Sequence, residues 1–131
     1  NCLEACLMKG EKAKFLTDLV VFLRKKTMQN IPDTFVLSEA DMNTIYQNKG
    51  TEFDPAYTLS TQQREWLQAV VDVRRISFVF EGLRWIDNKR LGMKVVHVKG
   101  GQTMELTKDD PRRELQIPED AISNGITANP R

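Results

Sequence analysis

Residues 78–92 read FVFEGLRWIDNKRLG, a helix-like stretch that sets two acids and three basic residues among apolar side chains. A helix on a protein surface keeps its charges opposite a single hydrophobic stripe, and this stretch does not obviously do so. Upstream, Ser60 and Gln63 have the spacing of a capping box, and Gly92 is a suitable stop. These signals predict one long helix over residues 61–90.

A helical wheel of residues 61–90 has two apolar sides. One side collects Trp66, Ala69, Val73, Ile76, Phe80 and Leu83, and the nearly opposite side collects Leu67, Val71, Phe78 and Trp85. A helix that is apolar on two sides is packed from both of them. We therefore expect this helix to form an interior layer, with both tryptophans in the core.

The charged residues of this segment fall partly within an apolar side. Arg84 and Asp87 lie there, so they should be paired and hydrogen-bonded. Helical spacing permits the pairs Glu81–Arg84, Arg84–Asp87 and Asp87–Arg90, and Arg84 can present its planar fork to two carboxylates. Gly82 costs roughly 1 kcal/mol of helix propensity, which a close approach by a neighbouring element would explain. We interpret these residues as a buried structural ion-pair cluster.

Two other interpretations of the same charges stay open. An exposed ladder of ion pairs would contribute only about 0.2–0.5 kcal/mol per pair. A catalytic pair of carboxylates would need a nucleophile, a metal shell or a phosphate-binding loop nearby, and the sequence around it supplies none. The sequence predicts no catalytic residue, no metal site and no cofactor.

The segments on either side of the long helix differ in character. Residues 1–30 predict a tetratricopeptide-like helical hairpin, with helices over 1–9 and 11–28 separated by Gly10. Residues 31–59 predict a loop-rich insert with one short helix that Ser38 and Asp41 open and Gly50 stops. Residues 93–131 predict a β-hairpin and an irregular tail. That tail offers a possible third strand at ELQIP, a turn at KDDPRR and a one-turn helix after Pro118.

Bulk composition limits the functional class. The 131 residues suit one domain, and 19 basic against 18 acidic side chains give a formal charge of +1, which favours no nucleic-acid partner. Cys2 and Cys6 would share one face of a helix and are interpreted as small buried hydrophobes. A metal pair would need further ligands, and the chain has one histidine, His97, which lies in a predicted strand.

The stretch LQAVVDVRRISFVFEGLRWIDNKRLG resembles the signature helix of the SusD/RagB family of outer-membrane nutrient-binding lipoproteins. The matching pattern Glu-Gly-x-Arg-x-x-Asp with a following Arg falls on Glu81, Gly82, Arg84, Asp87 and Arg90, and Arg75 and Trp85 belong to the same structural signature. The tail DDPRRELQIPEDAISNGITANPR and the first helical hairpin are also similar to the family's C-terminal portion. Two departures are Asp72, where a Glu is expected, and the length, since family members are several times longer.

This resemblance implies a partial SusD-like α/α superhelix and a non-enzymatic function. Family members bind a glycan or a peptide at the bacterial cell surface, are lipid-anchored in the outer membrane, and cover a SusC-type TonB-dependent transporter. We expect residues 1–131 to be the C-terminal part of one such domain, or to pair with a chain carrying the N-terminal part. The sequence does not identify the ligand.

Candidate ligand-binding residues are the aromatic side chains of the insert, Tyr46, Phe53 and Tyr57, because loops on a rigid scaffold carry binding residues and aromatic faces suit sugars. Aromatic residues in loops also serve as anchors to the core, so both roles stay open. The alternative function is an intracellular tetratricopeptide-type interaction module, which the helical hairpin favours and the β-hairpin and tail disfavour.

Overall fold

The structure, a computed structural model, describes residues 2–27 and 30–129. It is mainly α-helical with a small two-stranded antiparallel sheet, as the sequence predicts. In chain order the elements are α1 Cys2–Lys9, α2 Lys12–Lys26, α3 Glu39–Tyr46, α4 Thr61–Ser77, α5 Leu83–Arg90, β1 Val95–Lys99, β2 Gln102–Leu106, a 3₁₀ turn Pro111–Arg113, and α6 Glu119–Ser123. None of the described helices combines the length and the apolar character that a bilayer crossing requires.

The predicted helical hairpin is confirmed in α1 and α2. Gly10 ends α1 with a positive φ of 75°, a conformation that glycine adopts at little cost. Both helices contribute to the core, and the rings of Phe15 and Trp66 stack with their centroids 5.3 Å apart. The end predicted for the second helix, at residue 28, lies outside the described residues.

The insert contains the short helix that its sequence predicts. Ser38 and Asp41 form a capping box at the start of α3, in which each side chain accepts a hydrogen bond from the other residue's backbone N–H. α3 ends at Tyr46, earlier than the predicted stop at Gly50. Gly50 has a positive φ and lies against the ring of Phe53, which is buried. The insert is therefore fixed to the core by a side chain from its own loop.

The prediction of one long helix over residues 61–90 is wrong. α4 ends at Ser77, because Phe78 leaves the helical conformation with φ −122° and ψ 35°. α5 begins at Leu83 after Gly82, whose left-handed φ of 70° an α-helix does not allow. The predicted capping box of Ser60 and Gln63 is present at the start of α4.

The interior position predicted for this segment holds only for its first half. Trp66, Leu67 and Val71, from both sides of the predicted wheel, are buried in α4. Beyond the middle of α4 the apolar pattern no longer faces a neighbour: Ile76 is exposed and Phe80 is 97% exposed. The helix break therefore coincides with an apolar surface that no described element covers.

The C-terminal segment contains the predicted β-hairpin. β1 and β2 pair with Val96 opposite Glu105 and Lys99 opposite Gln102, and Gly100-Gly101 forms the loop with positive φ at both positions, as a tight hairpin turn requires. The third strand expected at ELQIP is absent from the described residues, where the sheet has two strands. The one-turn helix after Pro118 is confirmed as α6.

Gly82→Ala is expected to lower the free energy of unfolding by about 1 kcal/mol, because a residue with a Cβ pays this amount in the left-handed region. An added Cβ would meet no atom within 4 Å, so the effect is confined to the backbone. Urea unfolding measures it. Stabilisation by about 1 kcal/mol would instead indicate a continuous helix, in which alanine is the better residue. Gly92→Ala should lower the free energy of unfolding by more than Gly82→Ala does, because its Cβ would collide with the carbonyl of Asp54.

Asp110 is expected to titrate near pH 2. Its side chain accepts hydrogen bonds from the Arg112 guanidinium, at 2.5 and 2.9 Å, and from the Arg112 backbone N–H, which lower its pKa to about 2. Because its pKa is lowered by folding, its contribution to stability is present above the ordinary aspartate pKa and is lost as the pH falls towards 2. A carboxyl NMR titration of wild type and Arg112→Gln measures this, and the pKa should rise in the variant.

Candidate functional site

Asp87 is the buried acid of the segment 78–92. Its side chain is 3% exposed, and its two oxygens have different partners. Arg74 Nε of α4 donates to Oδ2 at 2.9 Å, and Arg90 Nη2 of α5 donates to Oδ1 at 3.3 Å. Each oxygen of the buried carboxylate therefore has a cationic donor, which offsets the cost of removing the charge from water.

Arg90 extends these contacts to the first helix, because its Nη1 donates to Glu4 Oε1 of α1. Glu4, Arg74, Asp87 and Arg90, here called the Asp87 cluster, connect α1, α4 and α5. Two acids face two arginines, so the formal charges of the cluster balance. These contacts also raise the pKa of Arg90 against the opposing effect of its burial.

The Asp87 cluster is not closed off from solvent on all sides. A surface cleft of about 490 Å³ is bordered by its four residues together with Ala5, Met8 and Ile86. The expectation of a cluster inside an interior layer is therefore corrected: Asp87 itself is buried, whereas its arginine partners reach the cleft. Within the described residues, the cleft contains paired charges and apolar side chains.

Two residues of the predicted cluster, Glu81 and Arg84, do not take part in the pairing that the sequence suggested, whereas the predicted Asp87–Arg90 pair is present. Asp87 pairs with Arg74 and Arg90, and Arg84 is half-buried with its Nη1 lacking a hydrogen-bond partner. Glu81 precedes α5 and is exposed, so helical spacing does not bring it to Arg84. Arg75 points to solvent, and its neighbour Arg74 occupies the inner position.

Trp85 also departs from its predicted core position. It is 41% exposed, and the guanidinium of Arg113 lies 5.6 Å from the centre of its ring. Arg113 is buried, and its Nη1 donates to the carbonyls of Thr107 and Lys108. Sequence reasoning missed this arginine, which holds the C-terminal segment against α5. Its position in PRR after a turn-forming Asp gave no sign of burial.

The three aromatic candidates of the insert lie in different surroundings. Phe53 is buried in the core, so its ring has no free face to offer a ligand. Tyr57 is 43% exposed and lies close enough to Arg90 to affect the pKa of that guanidinium. Tyr46 is half-buried, with the ammonium of Lys49 5.0 Å from its ring centre, and burial raises the pKa of its hydroxyl. Two of the three, Tyr46 and Tyr57, therefore keep accessible ring surface.

Tyr46 lies at the edge of an apolar groove between α2, α3 and the segment that joins them. This Tyr46 groove has a volume of about 440 Å³, and its lining is Leu19, Leu23, Asn30, Ile31, Pro32, Phe35, Leu37, Met42, Ile45, Tyr46 and Val73. The lining is mostly apolar, with the two aromatic residues Phe35 and Tyr46 and the two polar residues Asn30 and Tyr46, so it suits an apolar ligand surface with few polar groups.

A larger groove runs along α1, α2 and α4 and reaches the start of α5. This α1–α2–α4 groove has a volume of about 840 Å³ and is lined by Cys2, Leu3, Lys14, Asp18, Val21, Phe22, Lys25, Val70, Val73, Arg74, Ser77, Phe78 and Leu83. Its lining combines apolar side chains with the four charged residues Lys14, Asp18, Lys25 and Arg74. The sequence feature that corresponds to this groove is the two-sided apolar pattern on the helical wheel of residues 61–90.

Comparison with known proteins gives no match: no protein-family model, no curated protein and no solved structure corresponds to this chain.

Asp87→Asn is expected to lower the free energy of unfolding by about 3 kcal/mol, because Arg74 and Arg90 would lose the buried charge that pairs them. The matched control is Arg75→Gln, on the neighbouring exposed position, which should stay within about 0.5 kcal/mol of wild type. Urea unfolding at neutral pH measures both. Equal effects of the two substitutions would contradict the assignment of Asp87 as the centre of a buried ion-pair cluster.

Proposed function

We propose that this chain is the C-terminal part of a SusD/RagB-type protein, a non-enzymatic binder of glycan or peptide at the surface of the bacterial outer membrane. The observation that carries the proposal is the sequence resemblance, which covers the signature segment, the tail and the first hairpin in the family's order. The mainly helical architecture with a short β-hairpin after the signature segment is consistent with it.

In this proposal the signature residues are structural. Asp87 and Arg90 of the signature form ion pairs with Arg74 and Glu4, and these pairs join helices that are distant in sequence. Gly82 provides the left-handed turn that starts α5. The signature therefore supports a scaffold, and ligand specificity resides in other parts of the complete protein.

The partners proposed for this chain are the remaining N-terminal part of the same protein and a SusC-type transporter. Ile76, Val79 and Phe80 form an exposed apolar surface around the helix break. Contiguous exposed apolar residues of this kind mark interaction sites on soluble domains. We propose that the N-terminal part covers this surface and that the assembled protein is tethered by a lipid and covers the transporter.

Localisation and partnership are tested together in cells that express the full-length protein with its neighbouring transporter. The expected result is incorporation of labelled palmitate, labelling of intact cells by an impermeant amine reagent, and co-purification with the transporter. A full-length protein that is protected from the reagent until the cells are lysed would contradict the proposal.

Tyr57 is the candidate for ligand contact, because it combines an exposed ring with a position in the insert. Tyr57→Ala is expected to weaken binding of the full-length protein about 10-fold, the loss of about 1.4 kcal/mol that one aromatic platform supplies. An array of starch-like polymers, host glycans and peptides identifies the ligand, and calorimetry measures the affinity. Thr58→Ala, on the next exposed position of the loop, is the control and should bind normally. Binding by Tyr57→Ala equal to wild type would remove Tyr57 from the site.

The alternative proposal is a tetratricopeptide-type interaction module inside the cell. The hairpin of α1 and α2 and the packing of α1 against α4 favour it. The extended β-hairpin of β1 and β2 has no role in a plain helical array. Upstream helical repeats of about 34 residues would favour the module, and a lipoprotein signal would favour the binding protein.

A further inference from the structure

Three side chains with metal-binding atoms converge where α1 packs against α2. Cys2 and Cys6 lie one turn apart on the same face of α1, and Asp18 approaches from α2. The two sulfur atoms and a carboxylate oxygen of Asp18 all lie within 4.8 Å of one another, and the Cys2 thiol is 3.7 Å from Asp18 Oδ2. The sequence supplied the cysteine pair, but only the packing of two helices supplies the third donor.

From this geometry we infer that Cys2, Cys6 and Asp18 form a binding site for a thiophilic divalent cation of the Zn²⁺ class. Two thiolates and one carboxylate are donors that suit Zn²⁺ and exclude hard cations such as Mg²⁺ and Ca²⁺. A tetrahedral zinc ion with Zn–S bonds of about 2.3 Å holds its sulfurs about 3.8 Å apart, so rotations of the side chains bring the donors into place. Binding releases the two thiol protons to solvent.

The fourth coordination position faces accessible space. Cys2 and Asp18 line the α1–α2–α4 groove, whereas Cys6 is buried. A cation can therefore enter from the groove, and its open position can take a water molecule or a donor atom from a ligand. Three protein donors with one open position is the arrangement of accessible zinc sites, in contrast to closed four-ligand structural sites.

A disulfide between the same cysteines is disfavoured by the helix. Residues four apart on a helix have Cβ atoms about 5–6 Å apart, whereas a disulfide needs about 3.8 Å. Closing that bond would therefore open a turn of α1. A shared cation accommodates the longer separation and leaves the helix intact.

Lys14 opposes cation binding, because its ammonium donates to Asp18 Oδ2 at 2.7 Å. Its side chain is half-exposed and can move into solvent when a cation takes its place. Removing this competing charge without altering the donors should therefore strengthen binding. A Lys14 variant is therefore expected to bind the cation more tightly, whereas substitutions of the donors are expected to weaken binding.

The test is a Co²⁺ titration of the purified chain, kept reduced with a phosphine, with Zn²⁺ added at the end as competitor. We expect one Co²⁺ per chain, near-ultraviolet thiolate-to-cobalt charge-transfer absorption, and loss of that absorption when Zn²⁺ displaces the cobalt. Cys2→Ser and Asp18→Asn should each weaken binding by at least about 10-fold. Lys14→Gln should tighten it several-fold. Asp33→Asn, an exposed acid paired with Arg24, is the control and should bind as wild type does.

Several outcomes would overturn the inference. One is the absence of thiolate-to-cobalt absorption in the wild-type chain, and another is absorption that Cys2→Ser leaves unchanged. Equal affinities of wild type and Asp18→Asn would likewise contradict the assigned donor set. Cys2 and Asp18 are not fully buried, so their variants should retain the fold, and circular dichroism checks this. The inference does not depend on the proposed function.

Discussion

The burial of one carboxylate, Asp87, is the constraint on which the arrangement of three helices depends. A charge this deep in a protein is tolerated only when its partners are fixed in position. Arg74 supplies one partner from α4, and Arg90 supplies the other from α5 while also reaching Glu4 of α1. The positions of these helices and the burial of Asp87 are therefore linked, because both depend on the same ion pairs.

The short segment between α4 and α5 makes this arrangement possible. A continuous helix would carry Asp87 along the same axis as Arg74, about 20 Å away at 1.5 Å per residue, and the two side chains would not meet. The chain leaves the axis of α4 after Ser77, and the left-handed conformation of Gly82 starts α5 as a separate helix. Ile76, near the end of α4, and Phe80, between α4 and α5, are exposed beside this break. The apolar side of the predicted long helix therefore ends at the surface.

The proposed function and the inferred cation site use different parts of this scaffold. The apolar surface at the helix break suits a protein contact, and the exposed ring of Tyr57 suits a ligand contact. The first lies at the junction of α4 and α5, and the second lies in the insert before α4. The cluster of Cys2, Cys6 and Asp18 depends instead on the hairpin of α1 and α2. Cys2 and Asp18 border a groove between helices, whereas Tyr57 and the apolar residues at the helix break are exposed on the surface.

Local sequence signals determined the elements of this protein. The capping boxes at Ser38 and Ser60, the glycine after α1 and the Gly100-Gly101 turn each act within a few residues, and the structure has them where the sequence predicted them. Tertiary structure decided which of the charges allowed by spacing meet. Helical spacing offered Asp87 both Arg84 and Arg90 as partners, and Arg90, from the same helix α5, does pair with it. The second guanidinium comes from Arg74 of α4, which no spacing rule indicates, because it depends on how α4 and α5 pack. The third donor beside the two cysteines likewise comes from another helix, because such contacts depend on how helices pack and leave no periodic trace in the sequence.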